Sequence, residues 1–325
     1  MNEKPFQWCF IGTGRLAGEV AEQLVSSGRH QVKTVCSRRF EKAKEFADKW
    51  GGTAFEDAAS AITAEGVEGV YVVTPHPAHY KMAKLALSLG KPVLCEKPFT
   101  MHAEETRDLF RTAEEKGVYL VEGMWPWFAP AANKVKSWLD SGEIGEVKSV
   151  ETHFRVYVMD YAARLTDPNQ GGGALLDSGV YPLTFLYRLF GKPAEIKCVG
   201  NLKDGIDLSE EISLTFENGF KTDVSVAIDS RDFDNYIRIQ GTKGTIYTES
   251  LNCPSRVELK HTDGESEIFE APTTMLNEFD RVAEEIRLGK KQSSYVPPQA
   301  TIDIMEVMDT CRRQMNLVYP FEKKL

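Results

Sequence analysis

The sequence predicts an α/β protein: a doubly wound parallel sheet, followed by an α+β domain built on a large, mostly antiparallel open sheet. The chain has 325 residues, more than one hydrophobic core usually organises. Its first third alternates short apolar strands with amphipathic helices, the pattern of a parallel sheet covered on both faces. The remainder alternates apolar and polar residues over long runs, which is typical of strands with one solvated face.

The N-terminal domain is predicted to span residues 1–123. Apolar segments predict strands at FQWCFIG, VKTVCS, GVYVVTP, KPVLCEKP and VYLVEG. Amphipathic segments predict helices at Leu16–Ser27, Glu41–Trp50, Ala78–Leu89 and Glu104–Lys116. The alternation ends near Gly123, which sets the predicted boundary.

The C-terminal domain is predicted to span residues 124–325. EISLTFENGFKTDVSVAI and VELKHTDGESEIFE each hold a two-residue turn between alternating runs, at Asn218-Gly219 and Asp263-Gly264. Such turns are strong hairpin signals, so a mostly antiparallel sheet is expected. Helices are predicted before Gly142, around Gly179–Phe190, near Asn277–Leu288 and over about Gln299–Gln314.

Composition and charge exclude several classes of protein. With 39 basic and 48 acidic residues, the formal charge of −9 argues against nucleic acid or an anionic membrane surface as a partner. The six cysteines lie far apart without a CxxC pair, which favours reduced thiols over a disulfide framework or a zinc site. No metal is expected. The N-terminus lacks an export signal and no apolar run has membrane-spanning length, so a cytoplasmic location is expected.

The first strand runs into a glycine-rich turn. Its residues are Gly12, Thr13, Gly14, Arg15, Leu16 and Ala17, a GxGxxG motif with alanine in the third place. In this motif the first glycine permits the tight turn and the second lets a pyrophosphate approach the backbone at a helix N-terminus. A tight strand-to-helix turn would explain the motif equally well if it stood alone. At the start of a βαβ unit it predicts a dinucleotide-binding Rossmann domain over residues 1–123.

The end of the second strand bears on which cofactor is bound. An NAD-binding domain usually places an acid there for the ribose diol, whereas this strand ends in Ser37-Arg38-Arg39. Guanidinium groups and a hydroxyl suit a 2′-phosphate, so NADP(H) is favoured over NAD(H). Alternatively, Arg38 and Arg39 are ordinary surface cations.

A lysine ends another strand, at Glu96-Lys97-Pro98. The residue before proline is held extended and this bond could be cis, so Lys97 is aimed towards the ligand-binding edge of the sheet. A surface lysine paired with Glu96 is the alternative. Further residues expected near the cofactor are Thr74, Pro75, His76, His79 and Glu96.

Together these motifs resemble one family. The glycine turn, TPHPAHY (Thr74–Tyr80), CEKPF (Cys95–Phe99) and GGGALLDSGVYPL (Gly171–Leu183) occur in the order found in the Gfo/Idh/MocA oxidoreductases. The resemblance covers essentially the whole chain. Within the family, GMWPWFAP and a tyrosine at 181, where many members have histidine, look most like dimeric dihydrodiol dehydrogenases and NADP-linked D-xylose dehydrogenases.

The resemblance implies an NADP(H)-dependent oxidoreductase with three catalytic residues, Lys97, Asp177 and Tyr181. A tyrosine with a pKa of about 10 needs a nearby cation to act as a base, and Lys97 is the obvious one. Tyr181 is therefore predicted as general base in oxidation and general acid in reduction. Asp177 is expected to hold Lys97 or a substrate hydroxyl, or else to cap a helix start.

The expected substrate is a sugar, a polyol or a cyclic trans-diol, bound by the domain at residues 124–325. Aromatic faces beside polar groups suit such molecules, although each residue could equally belong to the core. The expected wall consists of Trp125, Trp127, Phe154, Arg155, Tyr157 and Arg164. A homodimer or homotetramer through the C-terminal sheet is expected. The alternatives are a cofactor-binding sensor without turnover and an NAD-dependent glycosidase on the same scaffold.

Overall fold

The computed structural model describes residues 4–322 and divides them into two compact units. Unit 1 comprises the described residues up to Met124 together with Thr274–Ile302. Unit 2 comprises Trp125–Thr273 together with the described residues from Asp303 onwards. The first boundary lies within one residue of the position expected from the sequence. The return of Thr274–Ile302 to unit 1 differs from the simple division at residue 123.

Unit 1 contains a parallel sheet covered by helices. Its strands are β1 Phe6–Ile11, β2 His30–Cys36, β3 Thr53–Phe55, β4 Gly69–Val72, β5 Val93–Glu96 and β6 Leu120–Gly123. The helices between them are α1 Arg15–Ser27, α2 Phe40–Trp50, α3 Ala58–Thr63, α4 His79–Ser88 and α5 Ala103–Lys116. Within residues 4–322 the strand order is β3-β2-β1-β4-β5-β6 with every pair parallel, which confirms the doubly wound prediction. β3 and α3 were not predicted, because three and six residues are too few for a periodic pattern.

The central strands of unit 1 are buried on both faces. Every residue of β4, β5 and β6 is buried, as their largely apolar runs predict, and the buried residues include two acids, Glu96 and Glu122. Parallel strands bring their carboxyl ends to one edge of the sheet, where a doubly wound fold binds its ligands. That edge therefore presents the residues that follow β1, β2, β4 and β5.

The returning segment Thr274–Ile302 covers one side of this sheet. Its helix α8, Met275–Arg287, buries Phe279 completely. The ring of Phe279 packs edge-on against Trp8 and Tyr71, with centroid distances of 5.1 and 5.0 Å. An apolar stripe at Met275, Phe279 and Val282 explains the packing, because these residues share one face of the helix.

Unit 2 is an open sheet flanked by helices. Its strands are β7 Val147–Tyr157, β8 Glu195–Lys203, β9 Ile206–Thr215, β10 Lys221–Ala227, β11 Asp229–Gly241, β12 Gly244–Glu249, β13 Arg256–His261 and β14 Ser266–Glu270. Its helices are α6 Pro130–Asp140, α7 Val180–Phe190 and most of α9, Pro298–Met315. Among the described residues the order is β14-β13-β12-β11-β7-β10-β9-β8, antiparallel except between β7 and β10. The mostly antiparallel prediction is confirmed, and both expected hairpin turns carry a glycine with positive φ, at Gly219 and Gly264. Each loop has three residues rather than two, because Phe216 pairs with Phe220 and His261 with Glu265.

Residues 4–322 lack two kinds of feature, a membrane-spanning helix and a cluster of metal ligands. No helix there combines the length and the apolar character needed to cross a bilayer. No group of three or more His, Cys, Asp or Glu side chains is arranged to hold a metal ion within that range.

Glu285 contributes to the free energy of unfolding by attaching the returning segment Thr274–Ile302 to the rest of unit 1. This buried side chain accepts hydrogen bonds from Tyr119 Oη at 2.6 Å and from the Ser294 backbone at 2.9 Å. Glu285→Ala should lower the free energy of unfolding by about 2–4 kcal/mol at neutral pH, because the buried phenol of Tyr119 loses its partner. Urea denaturation measures the change. Glu284→Ala, on the exposed side of the same helix, is the control and should change stability by less than about 0.5 kcal/mol. Equal effects of the two substitutions would contradict the prediction.

Candidate active site

The turn between β1 and α1 is shaped for close approach of a phosphate. Gly12 has φ +121°, and a Cβ there would lie 2.5 Å from the carbonyl oxygen of Val73. A Cβ at Gly14 would meet no atom within 4 Å, so this side of the turn is open. Helix α1 begins at Arg15 with no side-chain cap and no acid in its first turn. Its first N–H groups can therefore bind an anion, and the residues present fit a dinucleotide pyrophosphate.

Two arginines follow β2 at the same edge. Ser37 donates a hydrogen bond from Oγ to the backbone oxygen of Arg39 at 2.9 Å, which fixes the turn. Arg38 and Arg39 are exposed, and within residues 4–322 neither guanidinium has an ion-pair partner. Their charge is therefore not neutralised by an acidic side chain within residues 4–322.

The loop after β4 is fastened by a buried histidine. His79 is 1% exposed, and its two ring nitrogens lie 2.8 Å from the backbone oxygens of Pro98 and Thr74. Carbonyl oxygens only accept, so both contacts are hydrogen bonds when both nitrogens carry a proton, which is the imidazolium form. His76 is also buried, with its ring 5.8 Å from that of His79. His79 thus joins the loop at Thr74 and Pro75 to the turn that carries Lys97.

Lys97 lies beside a cluster of buried acids that the sequence did not reveal. Glu96, Glu122 and Glu278 are 7%, 3% and 1% exposed. Glu96 accepts a hydrogen bond from Tyr71 Oη at 2.7 Å. Burial raises the pKa of Glu122 to about 7, although hydrogen bonds from Thr301 and the Phe99 backbone, and the charge of Lys97, lower it.

Glu122 therefore fastens the turn that holds Lys97. Its Oε2 accepts from Thr301 Oγ1 at 2.9 Å, so the start of α9 is attached to the same carboxyl group. Glu278 faces the cluster from α8, and burial together with the neighbouring carboxylates raises its pKa well above the usual range. An acid within the apolar strand VYLVEG was the available signal for Glu122. The signal for Glu278 was its place on the apolar face of α8, three residues after Met275 and four before Val282.

In unit 2 the glycine-rich motif forms a π-helical turn, Leu175–Gly179, that continues into α7. Asp177 lies in this turn, and its Oδ1 accepts a hydrogen bond from Arg164 Nη2 at 2.8 Å. The residue preceding the turn is Ala174, so Asp177 does not hold the capping position. Tyr181 lies in the first turn of α7, and its ring stacks on Phe154 with centroids 5.5 Å apart. Four of the predicted site residues thus form two contacting pairs.

Three other residues of the expected substrate wall lie elsewhere. Side chains alternate along β7, so Arg155 and Tyr157 lie on the face opposite Phe154. Arg155 approaches Asp234 at 3.7 Å, and Arg231 lies over the ring of Tyr157 at 4.6 Å. Arg155 and Tyr157 therefore do not share a face of β7 with Phe154.

Trp127 was also expected in the wall. It is buried in a short helical turn, Trp125–Phe128, and Arg188 lies over its ring at 5.2 Å. Trp127 is a core residue, whereas Trp125 in the same turn is half-buried.

Taken together, these features define an NAD(P)-dependent oxidoreductase acting on CH–OH groups. Residues 6–124 match the model of an oxidoreductase family with an NAD-binding Rossmann fold, named for Gfo, Idh and MocA. Residues 132–247 match the model of the Gfo/Idh/MocA C-terminal domain. The chain belongs to the Gfo/Idh/MocA oxidoreductase family.

Named relatives align over nearly the whole chain. The trans-1,2-dihydrobenzene-1,2-diol dehydrogenase of Mus musculus is 31% identical, over 98% of this chain and 99% of its own. The scyllo-inositol 2-dehydrogenase (NADP(+)) of Bacillus subtilis is 30% identical, with the same two coverages. A 3-ketoreductase from Actinomadura kijaniata, solved with NADP and TDP-benzene, has a TM-score of 0.85 at 24% identity and covers 96% of this chain and 98% of its own. This last likeness concerns the fold.

The buried carboxyl of Glu122 makes stability depend on pH. The native state holds its proton up to a pKa of about 7, whereas the unfolded chain releases it near the ordinary value of 4.5. The folded state thus binds the extra proton in this window, and stability falls as pH rises through it, by about 3 kcal/mol. Glu122→Gln should remove this contribution, giving a flatter dependence of the free energy of unfolding on pH.

Urea denaturation at several values between about pH 5 and 8 measures the effect. Glu115→Gln, an exposed acid on α5, is the matched control and should leave the wild-type slope unchanged. A slope in Glu122→Gln equal to that of the wild type would show that another group carries the effect.

Proposed function

We propose that this enzyme uses NADP(H) to transfer a hydride between the nicotinamide and a hydroxyl-bearing carbon of a sugar, polyol or cyclic trans-diol. The preference for NADP(H) is inferred from Arg38 and Arg39 after β2. Both are exposed, and neither has an ion-pair partner within residues 4–322. No acid precedes them at the strand end, where an NAD-binding domain usually places one. The B. subtilis relative is named as an NADP(+)-dependent dehydrogenase, which agrees with this preference.

The cofactor, when bound, supplies the hydride acceptor or donor. The chain supplies the binding groups. Gly12, Gly14 and the first N–H groups of α1 would hold the pyrophosphate, and the two guanidinium groups with Ser37 would hold the 2′-phosphate. His79 keeps the loop after β4 attached to the turn of Lys97. These contacts fix the site before the substrate arrives.

Tyr181 is proposed to exchange the proton of the reacting hydroxyl. A phenol with a pKa of about 10 becomes an effective base near neutral pH only when a cation stabilises its phenolate. The ammonium of Lys97 is proposed for this role. Stacking on Phe154 holds the ring of Tyr181 in one plane, so the hydroxyl keeps one direction. The same phenol donates the proton in the reverse, reductive reaction.

The Asp177–Arg164 pair is proposed to bind the other substrate hydroxyls. The carboxyl group of Asp177 accepts a hydrogen bond from Arg164, and a carboxylate oxygen can accept further hydrogen bonds from substrate hydroxyl groups. Phe154 and the half-buried Trp125 provide apolar ring faces for the C–H groups of a sugar or a cyclic diol. Steady-state rates with a panel of aldoses, inositols and trans-dihydrodiols, followed at the nicotinamide absorbance, identify the substrate class.

A homodimer or homotetramer through the sheet of unit 2 is proposed as the working form. One face of β7 and its neighbours carries an aromatic row, with His153 and Tyr236 ring centroids 5.0 Å apart and Tyr236 and Tyr247 5.8 Å apart. Aromatic residues are enriched at interfaces. Light scattering coupled to gel filtration gives the assembly state, and a monomer at all concentrations would refute this part.

The arginine pair can be tested by its effect on cofactor choice. Arg38→Ala with Arg39→Ala should raise KM for NADP⁺ by about tenfold or more per arginine, since each charge-assisted contact contributes about 1.5–3 kcal/mol. KM for NAD⁺ should change little. Lys44→Ala, an exposed cation of α2, is the control and should alter neither value. Equal losses with the two cofactors would reject the 2′-phosphate assignment.

Tyr181 can be tested by removing one oxygen. Tyr181→Phe should lower kcat by about 10²–10⁴-fold, the usual contribution of a positioned acid–base group. The dissociation constant for NADPH, measured by fluorescence titration, should not change, because the cofactor residues lie in unit 1. Tyr161→Phe removes an exposed phenol from the preceding loop and serves as the control. Retained turnover in Tyr181→Phe would reject the assignment.

A further inference from the structure

Two buried carboxyl groups lie against the π-helical turn of unit 2, and the reaction proposed above does not use them. Asp207 and Glu210 both belong to β9 and are 0% and 2% exposed. Burying one ionised carboxylate is costly, and burying two side by side is more so, unless each is matched by a cation or by hydrogen bonds. Their proximity to the turn that carries Asp177 therefore requires an explanation.

Asp207 holds the start of this turn. Its Oδ2 accepts a hydrogen bond from the backbone N–H of Leu175 at 2.6 Å. Its Oδ1 occupies space that a side chain at Gly173 would need, since a Cβ there would lie 1.9 Å from it. Gly173 also has φ +114°, a conformation that other residues rarely adopt. The carboxyl group of Asp207 thus occupies the space that is left by the missing side chain of Gly173.

Glu210 lies beneath the end of the same turn. A Cβ at Gly179 would be 3.5 Å from its Oε1, and the nearby charge of Asp207 acts on its carboxyl group. The ionisable groups that act on the pair or respond to its charge come from β8, β9, α9 and the C-terminal segment. They are Cys198, Glu211, Cys311, Arg312 and Tyr319.

Arg312 is the cation among these described neighbours, and it is already committed to another acid. Its Nη2 lies 2.6 Å from both carboxyl oxygens of Glu322. The charge of Arg312 lowers the pKa of Asp207, but one guanidinium that also contacts Glu322 does not offset two further carboxylates. Burial raises the pKa of both groups, the charge of Asp207 raises that of Glu210 further, and the Leu175 hydrogen bond lowers that of Asp207. These directions favour a proton on Glu210 and a charge on Asp207.

The other side of the glycine-rich segment is fixed independently. Tyr319 is 1% exposed and donates a hydrogen bond from Oη to the carbonyl oxygen of Gly172 at 2.6 Å. The N–H of Gly173 donates to the carbonyl oxygen of Leu165 at 2.9 Å. Asp207 adds a further contact, to the backbone N–H of Leu175, at the start of the turn.

We infer that Asp207 and Glu210 share one proton and act as positioning residues, fixing the turn Leu175–Gly179 so that Asp177 and Tyr181 keep their orientation. The catalytic consequence rests on the proposed function. The shared proton keeps the pair at a single negative charge, and that charge is held by the Leu175 N–H. Loss of the proton would place two negative charges against the turn and displace it.

The inference predicts different results for two substitutions of Glu210. Glu210→Gln replaces the protonated carboxyl by an amide that can still donate to Asp207, so kcat should stay within about twofold of the wild type. Glu210→Leu leaves Asp207 without that donor and should lower kcat by about tenfold or more, the effect of a small displacement of catalytic groups. Glu211→Gln, the adjacent exposed acid on β9, is the control and should behave as the wild type.

Two readouts do not depend on turnover. At neutral pH the difference between the wild-type and Glu210→Gln infrared spectra should contain a C=O band of a protonated carboxyl group that shifts in D₂O. The subtraction removes the contributions of the other buried acids, Glu122 and Glu278, which both proteins share. The native state retains a proton that the unfolded chain loses near an ordinary carboxyl pKa, so wild-type stability should fall as pH rises above that value. The fall should be smaller in Glu210→Gln and unchanged in Glu211→Gln.

The outcomes separate the two proposals. Absence of NADP(H)-dependent turnover in the wild type would reject the proposed function, while the infrared band and the pH dependence would still test the shared proton. Equal kcat in Glu210→Gln and Glu210→Leu would overturn the positioning role, as would absence of the band from the difference spectrum. If Glu210→Leu does not fold, Asp207→Asn with Glu210→Gln replaces it. This double variant should lack both the band and the extra pH dependence but retain turnover, and its inactivity would also overturn the inference.

Discussion

Burial of carboxyl groups behind the functional segments is the constraint on which both units depend. In unit 1, Glu122 binds the turn of Lys97 and the start of α9 through one carboxyl group. In unit 2, Asp207 binds the first residue of the turn that carries Asp177. Short loops at the edge of a sheet have few other means of being held rigidly. The unfavourable desolvation of these acids is limited by hydrogen bonds and by retained protons.

Features set by neighbouring residues could be predicted from the sequence. The glycine turn of β1, the hairpin turns at Gly219 and Gly264 and the two sheets follow from spacing within short windows, and the structure has them. The placement of Asp177 and Tyr181 about one turn apart could also be predicted, because residues four apart lie on the same face of a helix. The π-helical form of Leu175–Gly179 could not be predicted, because the backbone N–H of Leu175 contacts Asp207, which lies 32 residues away in the chain.

Features set by distant residues could not be predicted in this way. The amphipathic pattern of α8 shows that one face is buried, but not that the partner is the sheet of unit 1. The pairing of Asp177 with Arg164 and the position of Arg155 on the other face of β7 depend on tertiary register. A signal for Glu210 did exist: it shares the core-facing parity of Leu208 and Ile212 along β9. An acid in such a position indicates either a partner or a bound proton.

The return of Thr274–Ile302 to unit 1 has a consequence for biosynthesis. During translation the sheet of unit 1 is complete once Gly123 has emerged, yet Phe279, which covers Trp8 and Tyr71, is made some 150 residues later. The nascent unit must therefore keep an apolar surface open until most of unit 2 has been synthesised. Folding of the first half is thus tied to completion of the second, and a ribosome-bound intermediate of this chain is a natural client for chaperones.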